Sequence, residues 1–279
     1  MPTQAERARA FRTLHERPGA FIIPNPWDAG SARLLATLGF EALATTSLGL
    51  SATLGRVDGA GRVDRDEVIA NCRAIVEATD LPVTADLENG FAHDPREAAE
   101  IMRLGAEAGL VGGSIEDATG DPAKPIYDFE LAVERVAAAA EVVRGLPFPF
   151  TLTARAENLL FGRNDLDDTI RRLQAFSRAG AHVLYAPGLR DLATIRSVVA
   201  AIDKPLNVVL SAADPTISLA ALAAAGVKRV SVGGALYRMG LAAVMDAARA
   251  MREQGSFEWV ATTLPGARLA ELLRPFDSP

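Results

Sequence analysis

The chain is short of the residues that staple a fold, bind soft metals or coat a surface with positive charge. Cys72 is the one cysteine among 279 residues, so no disulfide can close within the chain, and no second Cys or His stands near it at metal-ligand spacing. A reducing compartment fits this usage, and the cytoplasm is the expected location. No apolar run approaches the ~18 residues that a membrane span requires. The opening stretch from Met1 to Pro18 carries Glu6, Arg7, Arg9, Arg12, Glu16 and Arg17 without an apolar centre, so neither a signal peptide nor a membrane anchor is expected there. Excess positive charge is missing too: 29 Lys plus Arg against 35 Asp plus Glu leave a net charge of −6. That balance suits neither a phosphate backbone nor an anionic lipid face, so nucleic acid and membrane are not expected partners. What is present, 49% apolar and 23% charged residues, is a globular proportion at a length sufficient for one large α/β barrel.

Short apolar runs recur, each followed by a longer stretch with helical spacing. The runs are Phe21 to Ile23, Ala42 to Thr46, Val83 to Leu87, Leu110 to Ile115, Phe150 to Ala154, Val183 to Ala186, Leu206 to Leu210 and Val230 to Val232. Between them, apolar residues return on one helical face, as in Val68, Cys72, Ile75 and Val76, or Ala98, Ile101, Met102 and Leu104. Eight alternations predict a (β/α)8 barrel of the TIM type, occupying residues 1–279 as one domain. A doubly wound open sheet shows the same alternation, but the count of eight and the lack of a GxGxxG turn favour the barrel. The segment from Leu48 to Val63 is expected as a Gly-containing loop beside the active site. Residues 255–279 are expected as a C-terminal helical extension that packs on its own barrel or on a neighbouring subunit.

In such a barrel the chemistry belongs at the strand C-termini, where the βα loops converge. Those ends carry Thr46 and Ser47, Asp86 and Glu88, Glu116 and Asp117, and Arg155 and Glu157. Strand alternation places Asp86 and Glu88 on one side, with Glu116 of the next strand converging on them. Three carboxylates so close require protonation or a cation, and an oxygen-only donor set suits Mg2+, with Mn2+ as the alternative. Asn207, inside the seventh strand, is a candidate for orienting substrate or for satisfying buried backbone. His15 and His182 fall on the barrel's stability side and are expected to be structural, and Asp94 beside His93 reads as a helix cap. The Gly233-Gly234 pair reads as a tight βα turn.

Several motifs, in order, resemble the isocitrate lyase and phosphoenolpyruvate mutase superfamily. They are Pro24-Asn25-Pro26-Trp27-Asp28-Ala29, the stretch from Leu43 to Asp58, Thr84-Ala85-Asp86-Leu87-Glu88-Asn89-Gly90, Ser114-Ile115-Glu116-Asp117 and Thr153-Ala154-Arg155. The resemblance implies a Mg2+-dependent barrel acting on small 2-oxo or 2-hydroxy carboxylates. It implies that Asp86 holds the metal directly, and Glu88 and Glu116 hold it through water; family members usually carry Asp at the position of Glu88. It further implies that Thr46, Ser47 and Leu48 grip a substrate carboxylate, that Asp58 helps order the metal site, and that Arg155 neutralises a substrate oxygen. A homo-oligomer, dimer or tetramer, with the Trp259 to Leu273 region exchanged between subunits is implied as well.

Two family features are missing. Lyases of the superfamily carry Lys-Lys-Cys-Gly-His in the loop after the fourth strand, whereas this chain has Ala118-Thr119-Gly120-Asp121-Pro122-Ala123-Lys124-Pro125. Cys72 is no substitute, because its helical spacing puts it on an apolar face. Lys124 is the candidate to enter the site as that loop closes and to act on a proton or carboxylate. The phosphonate branch uses Asn and Ser in the same loop and a His after the sixth strand, where this chain has Ala186-Pro187. The expected activity is therefore cleavage or decarboxylation of a small 2-oxo or 2-hydroxy dicarboxylic acid through an enolate. The rival readings are carbon–phosphorus chemistry on phosphonopyruvate or phosphoenolpyruvate, and a 2-oxo acid binder without turnover.

Overall fold

The apolar runs pair with one another in chain order. A computed structural model describes residues 2–210 and 216–274. Its strands are β1 (Phe21–Ile23), β2 (Leu43–Ala44), β3 (Val83–Asp86), β4 (Gly112–Glu116), β5 (Thr151–Arg155), β6 (Val183–Tyr185), β7 (Leu206–Val209) and β8 (Arg229–Ser231). All pairings are parallel, in the order β1-β8-β7-β6-β5-β4-β3-β2. Between β1 and β2 the ring closes through one backbone bond, Ala44 N–H to the Pro24 carbonyl at 3.0 Å. Asn25 reinforces that seam: its amide donates to the Thr45 carbonyl at 3.0 Å, and its oxygen accepts the N–H groups of Val232 and Gly233, each at 2.9 Å. The expected eightfold barrel is therefore observed, with five of the eight strands shorter than the apolar runs.

The helices are α1 (Gln4–Glu16), α2 (Ala29–Ala36), α3 (Ser47–Thr53), α4 (Arg65–Glu77), α5 (Pro95–Glu107), α6 (Phe129–Arg144), α7 (Leu166–Ala179), α8 (Leu192–Ala201), α9 (Leu219–Ala224), α10 (Ala235–Arg249) and α11 (Gly266–Leu273). All but α6, α10 and α11 start where a short polar side chain takes up a free N–H group. In α5, Asp94 accepts from Arg96 and Glu97 N–H at 2.9 and 3.1 Å, and Pro95 occupies the first turn, where no N–H is needed. One face of α5 then buries Ala98, Ile101 and Met102 against the strands; the two larger side chains contribute about 2 kcal/mol each. The segment from Leu48 to Val63, expected as a loop, instead begins as α3. Thr46 caps it by accepting the Gly49 N–H at 3.4 Å.

Helix α1 plugs the N-terminal end of the barrel. Phe11, Leu14 and His15 are buried there, and Phe11 and His15 meet Phe21 edge-on with ring centres 6.5 and 5.0 Å apart. Gly112 makes room for the plug: a Cβ at that position would lie 3.1 Å from the Phe11 ring and 2.8 Å from Thr84 Oγ1. With that end stoppered, the other end is the mouth. The tail after β8 is different in kind. None of the described residues in α10, in the π turn Ala250–Gln254, in the 3-10 turn Glu258–Thr262 or in α11 is buried, although α11 touches α2. Residues 275–279 of the expected C-terminal extension lie outside the described residues. Among the described residues no helix is long and apolar enough to cross a membrane.

Candidate active site

The mouth holds a cavity of about 280 Å³ lined by residues from almost every strand end, among them Thr46, Ser47, Leu48, Asp58, Asp86 and Arg155. At its centre is the Arg155 side chain, the last residue of β5. Its guanidinium reaches three carboxylates: Asp86 through Nη1 at 2.8 Å, Glu116 through Nη2 at 3.1 Å and Glu157 through Nε at 2.8 Å. The register explains the meeting, since Glu116 of β4 lies opposite Arg155 and Asp86 ends β3 next door. The Tyr185 ring from β6, 5.0 Å from the guanidinium carbon, gives the cation a π face. An arginine has five N–H donors, so two remain for a ligand after these three contacts.

One buried cation against so many acids leaves an excess of negative charge, and the titration of the acids reflects it. Burial alone would raise Asp86, but Arg155, Ser47 and the Glu88 N–H hold it below the usual carboxylate range. Glu88 is pushed up to about 8, first by burial and then by the charges of Asp86 and Asp58. Glu116 is driven well up by burial, against the pull of Arg155 and with the charges of Glu157, Asp86 and Glu88 adding to the rise. Asp58 is raised by burial and by Asp86. Glu157 is also raised by burial, against the pull of Arg155. Asp117, beneath this layer, accepts the Glu157 N–H at 2.8 Å and Arg172 at 3.0 Å, yet burial still lifts it to about 7.

The expected alternation of Asp86 and Glu88 on one strand face does not hold. Strand β3 ends at Asp86, and Glu88 adopts a left-handed backbone with φ of 48°, which redirects its side chain. Asp86 and Asp58 line the mouth cavity, whereas Glu88 and Glu116 line a neighbouring hollow of about 1060 Å³ under the loops after β2, β3 and β4. Among the described residues no three His, Cys, Asp or Glu side chains are placed to hold an ion by themselves. Arg155 bridges the two halves through its contacts with Asp86 and Glu116. As donor chemistry the set suits a hard cation, because it is all carboxylate and carries more negative charge than Arg155 can neutralise.

The other sequence candidates divide. Ser47 N–H points to Asp86 Oδ2 at 3.4 Å, and Ser51 Oγ to Asp58 Oδ1 at 3.5 Å, so the α3 segment and both aspartates form one wall. Asn207 lines the floor but is committed: its amide donates to Ser231 Oγ at 3.1 Å, and its oxygen accepts from Arg229 Nε at 2.9 Å. Lys124 is on the exposed β4–α6 loop and pairs with Asp128 at 2.5 Å, outside both cavities. Cys72 is buried and burial pushes its thiol up to about 12, which removes it as a nucleophile. His93 binds the Tyr127 hydroxyl at 2.6 Å. Gly233 turns with a φ of 52°, and a Cβ on Gly234 would lie 2.5 Å from Leu48. Sequence reasoning placed Glu157 at a strand end without a role; its engagement by Arg155, two residues earlier on the chain, appears only once the backbone leaves β5.

Comparison with known proteins agrees with this geometry. Residues 11–252 match the family model described as phosphoenolpyruvate phosphomutase. A crystal structure from Burkholderia cenocepacia J2315, provisionally named a lyase/mutase, is 56% identical with a TM-score of 0.94, over 99% of this chain and 97% of that one. The 2-methylisocitrate lyase of Escherichia coli is 27% identical over 92% of this chain and 88% of its own length. An oxaloacetate decarboxylase of Chromohalobacter salexigens is 27% identical over 94% and 91% respectively.

Proposed function

The chain belongs to the phosphoenolpyruvate phosphomutase family, within the isocitrate lyase superfamily, and on that premise we propose that it is a Mg2+-dependent carbon–carbon lyase for a small 2-oxo or 2-hydroxy dicarboxylate. The observation that carries the proposal is Arg155 at the barrel mouth, held by Asp86, Glu116 and Glu157 with two donors to spare. Asp86 would hold the ion directly, and Glu88 and Glu116 would hold it through water. That arrangement suits Mg2+, which keeps much of its water, and is compatible with acids split between two hollows. The ion, when bound, supplies positive charge where the oxo and carboxylate oxygens of the substrate gather.

The remaining work falls to the chain's own side chains. Thr46, Ser47 and Leu48 bind one substrate carboxylate at the wall shared with Asp86. As the carbon–carbon bond of a 2-oxo acid breaks with loss of CO2, negative charge grows on the 2-oxygen, and the free N–H groups of Arg155 stabilise it; in a 2-hydroxy acid the same groups stabilise the 2-oxygen once it has given up its proton. A preorganised donor of this kind contributes about 3 kcal/mol to a transition state. Asp58 and Asp86 orient the site from the α3 side. The loop that carries a catalytic Cys in other lyases has none here, so decarboxylation or hydrolytic cleavage, in which water supplies the proton, is the reaction that needs the fewest absent parts. Oxaloacetate, methylisocitrate, isocitrate, dimethylmalate and phosphonopyruvate, assayed with and without Mg2+, test the proposal. Release of a 2-oxo acid from a phosphorus-free substrate, or of oxalate and acetate from oxaloacetate, that needs Mg2+ and disappears in Asp86→Ala supports it; phosphate release, or Mg2+-dependent binding without turnover, overturns it.

The same reading extends to assembly. The tail exposes Met239, Val244, Phe257, Val260 and Leu264, each at least half accessible. Exposed apolar side chains gathered along one segment are suited to a second copy of the chain. A homo-oligomer, dimer or tetramer, is the expected state by light scattering.

A further inference from the structure

Arg190 is an unassigned cation in the mouth. It lines the same cavity as Asp58, Asp86 and Arg155, and its side chain is exposed. Among the described residues it has neither an ion-pair nor a hydrogen-bond partner. The other two arginines on the cavity are already engaged: the charge of Arg155 is matched by three carboxylates, which leaves its spare N–H groups for the reacting oxygen, and Arg229 is held by Asn207 Oδ1 at 2.9 Å and Thr153 Oγ1 at 3.0 Å. The backbone around Arg190 is nevertheless fixed. Leu189 before it is buried, and Asp191 after it caps α8 by accepting the Thr194 N–H at 2.8 Å. Gly188 has a φ of 98° and lies against Leu159 so closely that a Cβ would stand 2.8 Å from the Leu159 Cβ. A guanidinium on a braced loop, facing a cavity and left without a counter-charge, is a site waiting for an anion.

Topology says which anion. In the ring order, β2 and β6 are four strands apart in either direction, so the Thr46–Leu48 segment and Arg190 stand on opposite sides of the mouth. Asp86 on β3 and Arg155 on β5 lie between them. We propose that Arg190 is a second-carboxylate subsite: the substrate spans the mouth with its 2-oxo acid end at Thr46–Leu48 and its distal carboxylate on Arg190. The chain thus selects diacids over monoacids that share the same reacting end. Planar, bidentate carboxylate recognition is what a guanidinium does best. Leu159 and Leu160 line the same cavity and offer apolar surface to the carbon chain of the substrate.

This inference rests on the proposed lyase reading, and its test separates the two. Malate and 2-hydroxybutyrate share the 2-hydroxy acid end and differ only in a terminal carboxylate against a methyl group. Both are titrated by calorimetry into the full-length protein with Mg2+, as wild type, Arg190→Gln and Arg190→Lys. Wild type is expected to bind malate at least tenfold more tightly than 2-hydroxybutyrate. Arg190→Gln is expected to abolish that preference by weakening malate alone, and Arg190→Lys to restore part of it, with thermal stability unchanged in both variants. Equal losses for the two acids, or none for either, overturn the subsite and leave the lyase reading standing. Wild-type protein that binds neither acid overturns both.

Discussion

The N-terminal plug should make stability depend on pH through one imidazole. His15 is 8% exposed, its Nδ1 lies 2.8 Å from the Phe11 carbonyl, and its Nε2 is 3.5 Å from Nη1 of Arg229. The carbonyl fixes a proton on Nδ1, and the guanidinium donates toward Nε2, so a second proton there would face a buried cation. Burial, then Arg229, with Lys228 and His182 adding repulsion, brings His15 down to about 3, against the Phe11 carbonyl, which favours the charged form. An unfolded chain titrates this group near 6.5. The unfolded state therefore takes up the proton first, and stability is lost as pH falls through 6.5, by up to 1.36 kcal/mol per unit until about pH 3. At pH 5 the loss is about 2 kcal/mol, and above pH 7.5 it vanishes. The buried acids act the other way. Glu88 and Asp117, raised in the folded state, favour folding more as pH falls, so the wild-type curve alone is a sum of opposing slopes. Urea unfolding of wild type and His15→Gln at pH 5.0 and 7.5 isolates the imidazole. The wild-type difference should exceed that of the variant by about 2 kcal/mol, in the direction of acid destabilisation. Parallel pH dependences for the two proteins would refute the assignment of a neutral His15 locked under Arg229.

Two further predictions concern the mouth. Gly234 has a negative φ of −75°, which any L residue adopts, so Gly234→Ala acts mainly through volume: the new Cβ would be 2.5 Å from Leu48 Cδ2 and 3.0 Å from Cγ. Pushing Leu48 off the carboxylate-binding wall is expected to raise KM about tenfold, within the ~1–3 kcal/mol typical of overpacking, and Leu48→Ala in the same chain should recover most of it. Recovery that fails, with both singles folded, would show that Leu48 is not the group displaced. Lys124 is committed to Asp128 on the surface, and Lys124→Ala should leave kcat within about twofold. A hundredfold fall would instead make the loop lysine the proton donor that replaces the missing thiol.

What the sequence could and could not disclose follows from the range of the forces involved. Parallel strands buried on both faces read as apolar runs, so all eight were visible, and so were the carboxylates and the arginine at their ends. Helix α3 was hidden because Ser47-Leu48-Gly49-Leu50-Ser51-Ala52-Thr53 mixes Gly, Ser and Thr and has poor intrinsic helicity; the hydroxyl of Thr46 and the packing of Leu50 and Ser51 into the barrel decide it. Glu88 was misplaced because alternation assumes extended backbone, and a φ of 48° is set by where β3 must end, not by its neighbours in sequence. Arg190 was invisible for a different reason. An exposed loop arginine has no pattern around it, and its isolation becomes a signal only when the ring order sets it across the mouth from the carboxylate-binding wall, while the charge of Arg155 is matched by carboxylates and Arg229 is held by Asn207 and Thr153. A residue whose meaning lies in the absence of a partner can be read only from the completed fold. That is also why its test must vary the ligand's far end, leaving the reacting end unchanged.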